Sequence, residues 1–231
     1  MFVTGTDTGV GKTVVSSAIL AAFSRRGLAV AALKPVETGC AAGQAGGDCQ
    51  RLARVTGQLP DEVASYSFGL PAAPLVAAEA EGAVISVDKI IGDFRLLTRD
   101  YDFVLVEGAG GIAVPIVSGV TYLDLARELG AVALCVVASR LGCINHTLLT
   151  LGTLEAGGVG VAGYVVNELG DGSADASIAS NRELIARFTT HQELGRFPPL
   201  DGPTLESPAA LGAVAEDNLN LEALLAASLA G

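Results

Sequence analysis

Six short apolar runs recur along the chain, at 2–5 (FVTG), 28–33 (LAVAAL), 102–107 (DFVLVE), 132–138 (VALCVVA), 161–167 (VAGYVVN) and, with a weaker pattern, 194–198 (LGRFP). Both alternating faces of these runs are apolar, which predicts strands covered on both sides, as in a parallel sheet. Amphipathic segments at 12–26, 86–99, 121–129, 145–156 and 176–189 predict helices between them. The alternation reads as βαβ units with right-handed crossovers. Punctuation agrees: Gly27 follows Arg25 and Arg26 as a helix stop, Thr121 stands as an N-cap, and Gly157 with Gly158 closes the helix after Asn145. The alanine- and leucine-rich stretch 207–231 predicts a further helical region packed on the sheet. No repeat, low-complexity linker or composition break divides the chain, so one domain over 1–231 is expected.

Half of the 231 residues are apolar and 17% are charged, the balance of a globular protein. The first twenty residues lack the charged-apolar-small order of a secretory signal. The longest apolar run, AVALCVVAS, is about half of the ~18 residues a membrane span needs, so a cytoplasmic protein is expected. A formal charge of -11 argues against nucleic acid and anionic membranes as partners. Any anionic ligand must therefore be held by local groups. Cys40, Cys49, Cys135 and Cys143 show no CxxC spacing and read as reduced cysteines; with only His146 and His191 beside them they suggest no zinc site.

Chemistry concentrates first at residues 2–20, FVTGTDTGVGKTVVSSAIL, where a strand turns through a glycine-rich loop into a helix. Gly11, Lys12 and Thr13 fit the end of the phosphate-loop pattern G-x(4)-G-K-[ST], while Thr6 holds its first position and Gly5 lies one residue early. The physical requirements survive this offset. Small residues let backbone N–H groups wrap phosphates, the helix N-terminus adds its dipole, Lys12 can reach the β and γ phosphates, and Thr13 offers a hydroxyl to Mg²⁺. Asp7 occupies the place where partition and septum-site ATPases carry a second lysine, and no NKxD guanine motif follows. Metabolic phosphoryl transfer is the class that remains.

A second constellation follows. LKPVETG puts Lys34 at the carboxyl end of the second apolar run, with Pro35 expected to stop the strand there. Ligands of open parallel sheets bind at those ends, so Lys34 is either a second cation in the pocket of Lys12 or a solvated strand-end lysine. YDFVLVEGAGG likewise delivers Glu107 to a strand end before Gly108, Gly110 and Gly111, as a Mg²⁺-serving carboxylate or a charged terminus. Asp48, in GGDCQRLAR, suits either a metal site or a helix N-cap.

Taken together, VTGTDTGVGKT, LKPVETG, Asp48, VEGAGG followed by PI, LGCINHTLLT and Asn167 resemble the dethiobiotin synthetase family, through residue 167. RLGCINHTLLTL is the most specific of these pieces. The resemblance implies an α/β, Rossmann-like P-loop NTPase fold with a mainly parallel, about seven-stranded sheet flanked by helices. It also implies a homodimer with active sites at the subunit interface, and an ATP- and Mg²⁺-dependent ring closure of 7,8-diaminopelargonate with CO₂. Lys12 and Lys34 would act in catalysis together with Thr8. Gly9, Val10, Gly11, Lys12, Thr13, Val14, Glu107 and Asn167 would hold the nucleotide, and Thr13, Asp48 and Glu107 would order the metal. Lys34 and Thr38 would face the carbamate. Gly142, Cys143, Ile144 and Asn145 would bind the substrate carboxylate of the neighbouring subunit; on spacing alone Asn145 also suits a plain N-cap. His146 reads as a helix or interface residue.

Two features depart from the family pattern. Gly9 stands where many relatives carry a glutamate, and the loop FPPLDGPTLE matches the family's base-binding segment only loosely. Among other enzymes, a cobyrinate-type amidoligase would carry a glutaminase domain, for which 231 residues leave no room. A partitioning or regulatory ATPase would need the second loop lysine or a basic patch.

Overall fold

A computed structural model describes residues 1–40, 46–170 and 178–229. Its main sheet has seven strands, all paired in parallel, in the order β3-β2-β4-β1-β7-β8-β9. The strands are β1 Phe2–Gly5, β2 Val30–Thr38, β3 Ala64–Phe68, β4 Phe103–Gly111, β7 Ala133–Ala138, β8 Val161–Asn167 and β9 Glu193–Phe197. A short antiparallel pair, β5 Pro115–Val117 and β6 Val120–Thr121, follows β4. The helices are α1 Lys12–Arg25, α2 Gly47–Thr56, α3 Pro60–Val63, α4 Pro74–Ala80, α5 Val87–Asp100, α6 Tyr122–Glu128, α7 Cys143–Ala156, α8 Ile178–Phe188, α9 Gly202–Glu206, α10 Pro208–Asn218 and α11 Leu221–Leu229.

Helices cover both faces, and the two-residue period of a strand shows why the apolar runs are continuous. Val3 packs into a core with residues of α1, α2, α10 and α11, while its neighbour Phe2 enters a second core with α4, α5 and α6. Thr121 caps α6: its backbone N–H and hydroxyl both meet the Asp124 carboxylate, at 2.9 and 2.8 Å. Among the described residues no helix is long and apolar enough to cross a membrane.

Several expectations need correction. β2 does not stop at Pro35 but runs on to Thr38, so Lys34 lies mid-strand. The reason is a change of partner: β2 pairs with β4 only from Val30 to Leu33, and with β3 from Lys34 to Thr38. One side of β2 is therefore open at Pro35, where a missing N–H breaks no ladder. β4 likewise continues through its glycines to Gly111, leaving Glu107 in mid-strand. β3, the β5–β6 pair and helices α2, α3, α4 and α9 were not among the predicted elements. The C-terminal region divides, with α10 packing chiefly on α1 and α11 against β8 and β9. Of the helix expected at 176–189, residues 176 and 177 lie outside the described residues.

Candidate active site

Strand register creates the site. Leu33 pairs with Val106, so the next residues along β2 and β4 are Lys34 and Glu107. At this level the strands part: the β2–β4 ladder ends, and between the pairs Val3–Glu107 and Gly5–Gly111 β1 advances two residues while β4 advances four. The splay opens a cleft of about 710 Å³ at the carboxyl side of the sheet, between the phosphate loop, β2, the start of α2 and the start of α4.

The loop from β1 enters α1 at Gly11, whose φ of +87° is a left-handed conformation and whose position offers no side-chain cap to the helix. The first amides of α1 stay available to an anion. Gly11 is also sterically required, since a Cβ there would lie 2.1 Å from Nδ2 of Asn167. That Nδ2, at the end of β8, donates to the Val10 carbonyl at 2.8 Å and pins the loop from beside the sheet. Lys12 arches back to donate to the Asp7 carbonyl at 3.1 Å. The Asp7 carboxylate meets Arg140 at 2.8 Å, linking the loop to the segment before α7.

Behind the loop, charged side chains form a connected chain that runs from buried Glu107 and Lys34 to half-exposed Asp48. Thr13 Oγ1 donates to Glu107 Oε1 at 2.8 Å, the same oxygen receives Lys34 Nζ at 2.8 Å, and Lys34 also bonds Asp48 Oδ2. Glu107 is fully buried, and the Lys34 side chain is 4% exposed. Burial works against the Lys34 charge, but Glu107 and Asp48 overcome it and hold the ammonium well above the usual lysine range. Lys12 shifts the other way, lowered by burial and by Lys34 although Glu107 opposes. Asp48 is lowered because Lys34, Thr13 and Lys12 outweigh its desolvation.

Thr8, Gly9, Gly11, Lys12, Thr13, Val14, Lys34, Thr38 and Asp48 all line the one cleft. Glu107 lies beneath it, behind Lys34 and Thr13. Val10 turns its side chain into the core and Asn167 reaches the loop from outside the lining. Gly142, Cys143, Ile144 and Asn145 do not line this cleft. Asn145 is not an N-cap either: α7 starts at Cys143 with Gly142 as its cap at φ +90°, because a left-handed entry turn wants glycine. Asp48 is not an N-cap, since Gly46 caps α2 and Asp48 sits in its first turn. All four cysteines are buried, and none is in a disulfide.

Two charged residues of the cleft escaped the sequence reading. Glu37 is 4% exposed and accepts the backbone N–H groups of Asp48 and Cys49. Its signal was an acid inside an apolar strand, between two residues already chosen. Arg51, one helical turn after Asp48, lines the cleft and donates to the Leu205 carbonyl of α9 at 2.8 Å.

A strand, a glycine loop ending in Lys12 and Thr13, and a helix, set beside mid-strand Glu107 in an all-parallel sheet of this order, define a P-loop NTPase. A family model described as an AAA domain matches residues 1–207. The chain belongs to the dethiobiotin synthetase family. It is 40% identical to the ATP-dependent dethiobiotin synthetase BioD of Anaeromyxobacter dehalogenans strain 2CP-C, over 86% of this chain and 89% of that one. It is 35% identical to the same-named protein of Thermodesulfovibrio yellowstonii, over 97% of both chains. Among solved structures, the cell division ATPase MinD of Pyrococcus furiosus aligns with a TM-score of 0.55 at 15% identity, over 99% of this chain and 96% of that one. A ParA family ATPase of Chlorobium tepidum TLS aligns with a TM-score of 0.54 at 13% identity, over 99% and 98%. These two likenesses concern the fold alone.

Proposed function

We propose that this chain, as a single domain, uses ATP to carboxylate and ring-close 7,8-diaminopelargonate with CO₂, giving dethiobiotin, ADP and phosphate in the cytoplasm. The observation that carries this reading is the buried Lys34 facing the phosphate-loop cleft, held charged by Glu107 and Asp48. Nucleotide binding alone needs Lys12 and the loop amides. A second fixed cation suits a reaction in which an anionic acceptor meets the γ-phosphoryl group.

One substrate amine adds to CO₂ and loses a proton, giving a carbamate. A carbamate oxygen takes the γ-phosphoryl group from ATP, releasing ADP and leaving a carbamic-phosphoric mixed anhydride. The second amine attacks the carbonyl carbon, loses a proton, expels phosphate and closes the cyclic urea. Lys12 and the loop amides hold the transferring phosphoryl group, and Thr8 borders it. Lys34 and Thr38 hold the carbamate against it, so positioning and electrostatics supply much of the acceleration. Gly9, Val10, Gly11 and Val14 shape the nucleotide site, and Asn167 supports it through the Val10 carbonyl.

Thr13, Asp48 and Glu107 fit a Mg²⁺ site. Glu107 Oε2 is buried with no hydrogen-bond partner among the described residues, a donor oxygen that a cation would satisfy. No cluster of three or more His, Cys, Asp or Glu side chains among those residues could cage a metal, so phosphate oxygens would complete the shell. When bound, Mg²⁺ neutralises charge on the β and γ oxygens.

The homodimer gives Gly142 to Asn145 their place, with α7 of one subunit presenting its first amides and Asn145 to the carboxylate in the other subunit's cleft. Asn145 is exposed in the single chain and absent from its own cleft, which supports that reading. The test is phosphate release from MgATP by the purified protein. Release must require both diaminopelargonate and bicarbonate; release indifferent to the diamine would return the chain to the wider P-loop class.

A further inference from the structure

We propose that Glu37 is a positioning residue that sets Asp48 for its part in the metal and phosphate site, an inference that rests on the reading of Asp48 above. Glu37 lies on β2 and touches the start of α2. Its Oε1 accepts from Asp48 N at 2.9 Å, and its Oε2 accepts from Cys49 N at 3.2 Å. Helix α2 has no local side-chain cap. A carboxylate from the sheet does that work, with the charge-dipole attraction of an anion at a helix N-terminus.

The fit is reciprocal. Gly46 precedes the helix, and a Cβ there would fall 2.1 Å from Glu37 Oε1. Only glycine leaves room for the carboxylate to reach the amides. The consequence passes along the chain of charges: Glu37 holds the Asp48 backbone, the Asp48 carboxylate meets Lys34, and Lys34 meets Glu107, which takes the Thr13 hydroxyl. The Asp48 side chain is 46% exposed, and beyond its contacts with Lys34 and Thr13 it is carried by its own backbone. Its aim therefore depends on where the first turn of α2 is held.

Glu37→Gln keeps one acceptor oxygen and the side-chain volume but loses the charge; Glu37→Ala loses both. Gly46→Ala keeps Glu37 but drives its carboxylate off the amides of α2, and the melting curve reads what that displacement costs the fold. The measurement is binding of N-methylanthraniloyl-ADP to the purified full chain, titrated with MgCl₂, beside a melting curve for each variant. Groups that orient ligands typically change metal affinity about 10- to 100-fold. Glu37→Ala and Gly46→Ala should raise the Mg²⁺ needed for half-saturation within that range, and Glu37→Gln should fall between them and the parent chain. In an Asp48→Asn background the same changes should have almost no further effect. Variants that lower only the melting temperature, or that weaken Mg²⁺ dependence equally with and without Asp48, would overturn the proposal. The titration contains no diamine. A chain that shows the Glu37 effect yet makes no cyclic urea contradicts the ligase reading alone, and one that makes it without the effect contradicts only the role of Glu37.

Discussion

Replacing Lys34 by methionine tests the charge chain most sharply. The Lys34 ammonium lies 2.8 Å from Glu107 Oε1, with side-chain exposures of 4% and 0%, and it also bonds Asp48. Methionine fills similar volume but leaves Glu107 without its cation. Removing one member of a buried pair costs about 3–5 kcal/mol, a large share of the ~5–15 kcal/mol that hold a typical domain folded. Urea unfolding at neutral pH, followed by far-ultraviolet circular dichroism, should show a loss of that size for Lys34→Met. The double variant Lys34→Met/Glu107→Gln should recover most of it, because the uncompensated charge is gone. If Lys34 were a solvated strand-end lysine, the single change would fall within about 0.5 kcal/mol. That small effect, or a double variant no better than the single one, would show that Lys34 and Glu107 do not form a buried pair that the fold depends on.

Other consequences can be checked separately. Asp48 is held below its usual pKa, so the stability it contributes is present above the ordinary carboxylate value and is lost as pH falls through the lowered folded value; acid unfolding of Asp48→Asn should show a smaller loss across that window. Gly11→Ala should abolish nucleotide binding in a fluorescence titration, since the new Cβ needs a left-handed backbone and strikes Asn167. Asn167→Ala removes the partner of the Val10 carbonyl, and an unsatisfied buried acceptor costs about 1–3 kcal/mol; nucleotide affinity should fall by one to two powers of ten on the order of that energy. Asn145→Ala should raise the KM for diaminopelargonate while leaving nucleotide affinity nearly unchanged, as measured by steady-state phosphate release.

The apolar runs disclosed five of the seven main strands, though β2 and β4 end five and four residues later than the runs do, and a sixth weakly, because strands buried on both faces carry a continuous apolar signal. β3 was invisible for the opposite reason. ASYSF is an edge strand with four of its five residues not fully buried, so it needs no apolar run. Pro35 misled because the rule against proline in a strand assumes partners on both sides, and β2 changes partner at that level. Lys12, Thr13, Lys34 and Glu107 could be put forward from local motifs, and Asp48, which suits an N-cap equally, only from the family resemblance; their joining is a product of register. Glu37 was missed because its partners, the amides of Asp48 and Cys49, exist as a set only once α2 forms. The C-terminal helices were legible as helices from composition, whereas the docking of α10 on α1 depends on packing between distant segments.

On the proposed function, this cleft joins a carbon from CO₂ to both amines of one diamine at the expense of ATP. The most direct measurement incubates the purified protein with MgATP, 7,8-diaminopelargonate and carbon-13 bicarbonate, then examines the organic product by mass spectrometry and carbon NMR. A cyclic urea carrying one labelled carbonyl carbon, formed in equal amount with phosphate, is the expected result. Phosphate release without that product, or a product whose carbonyl lacks the label, would contradict the account.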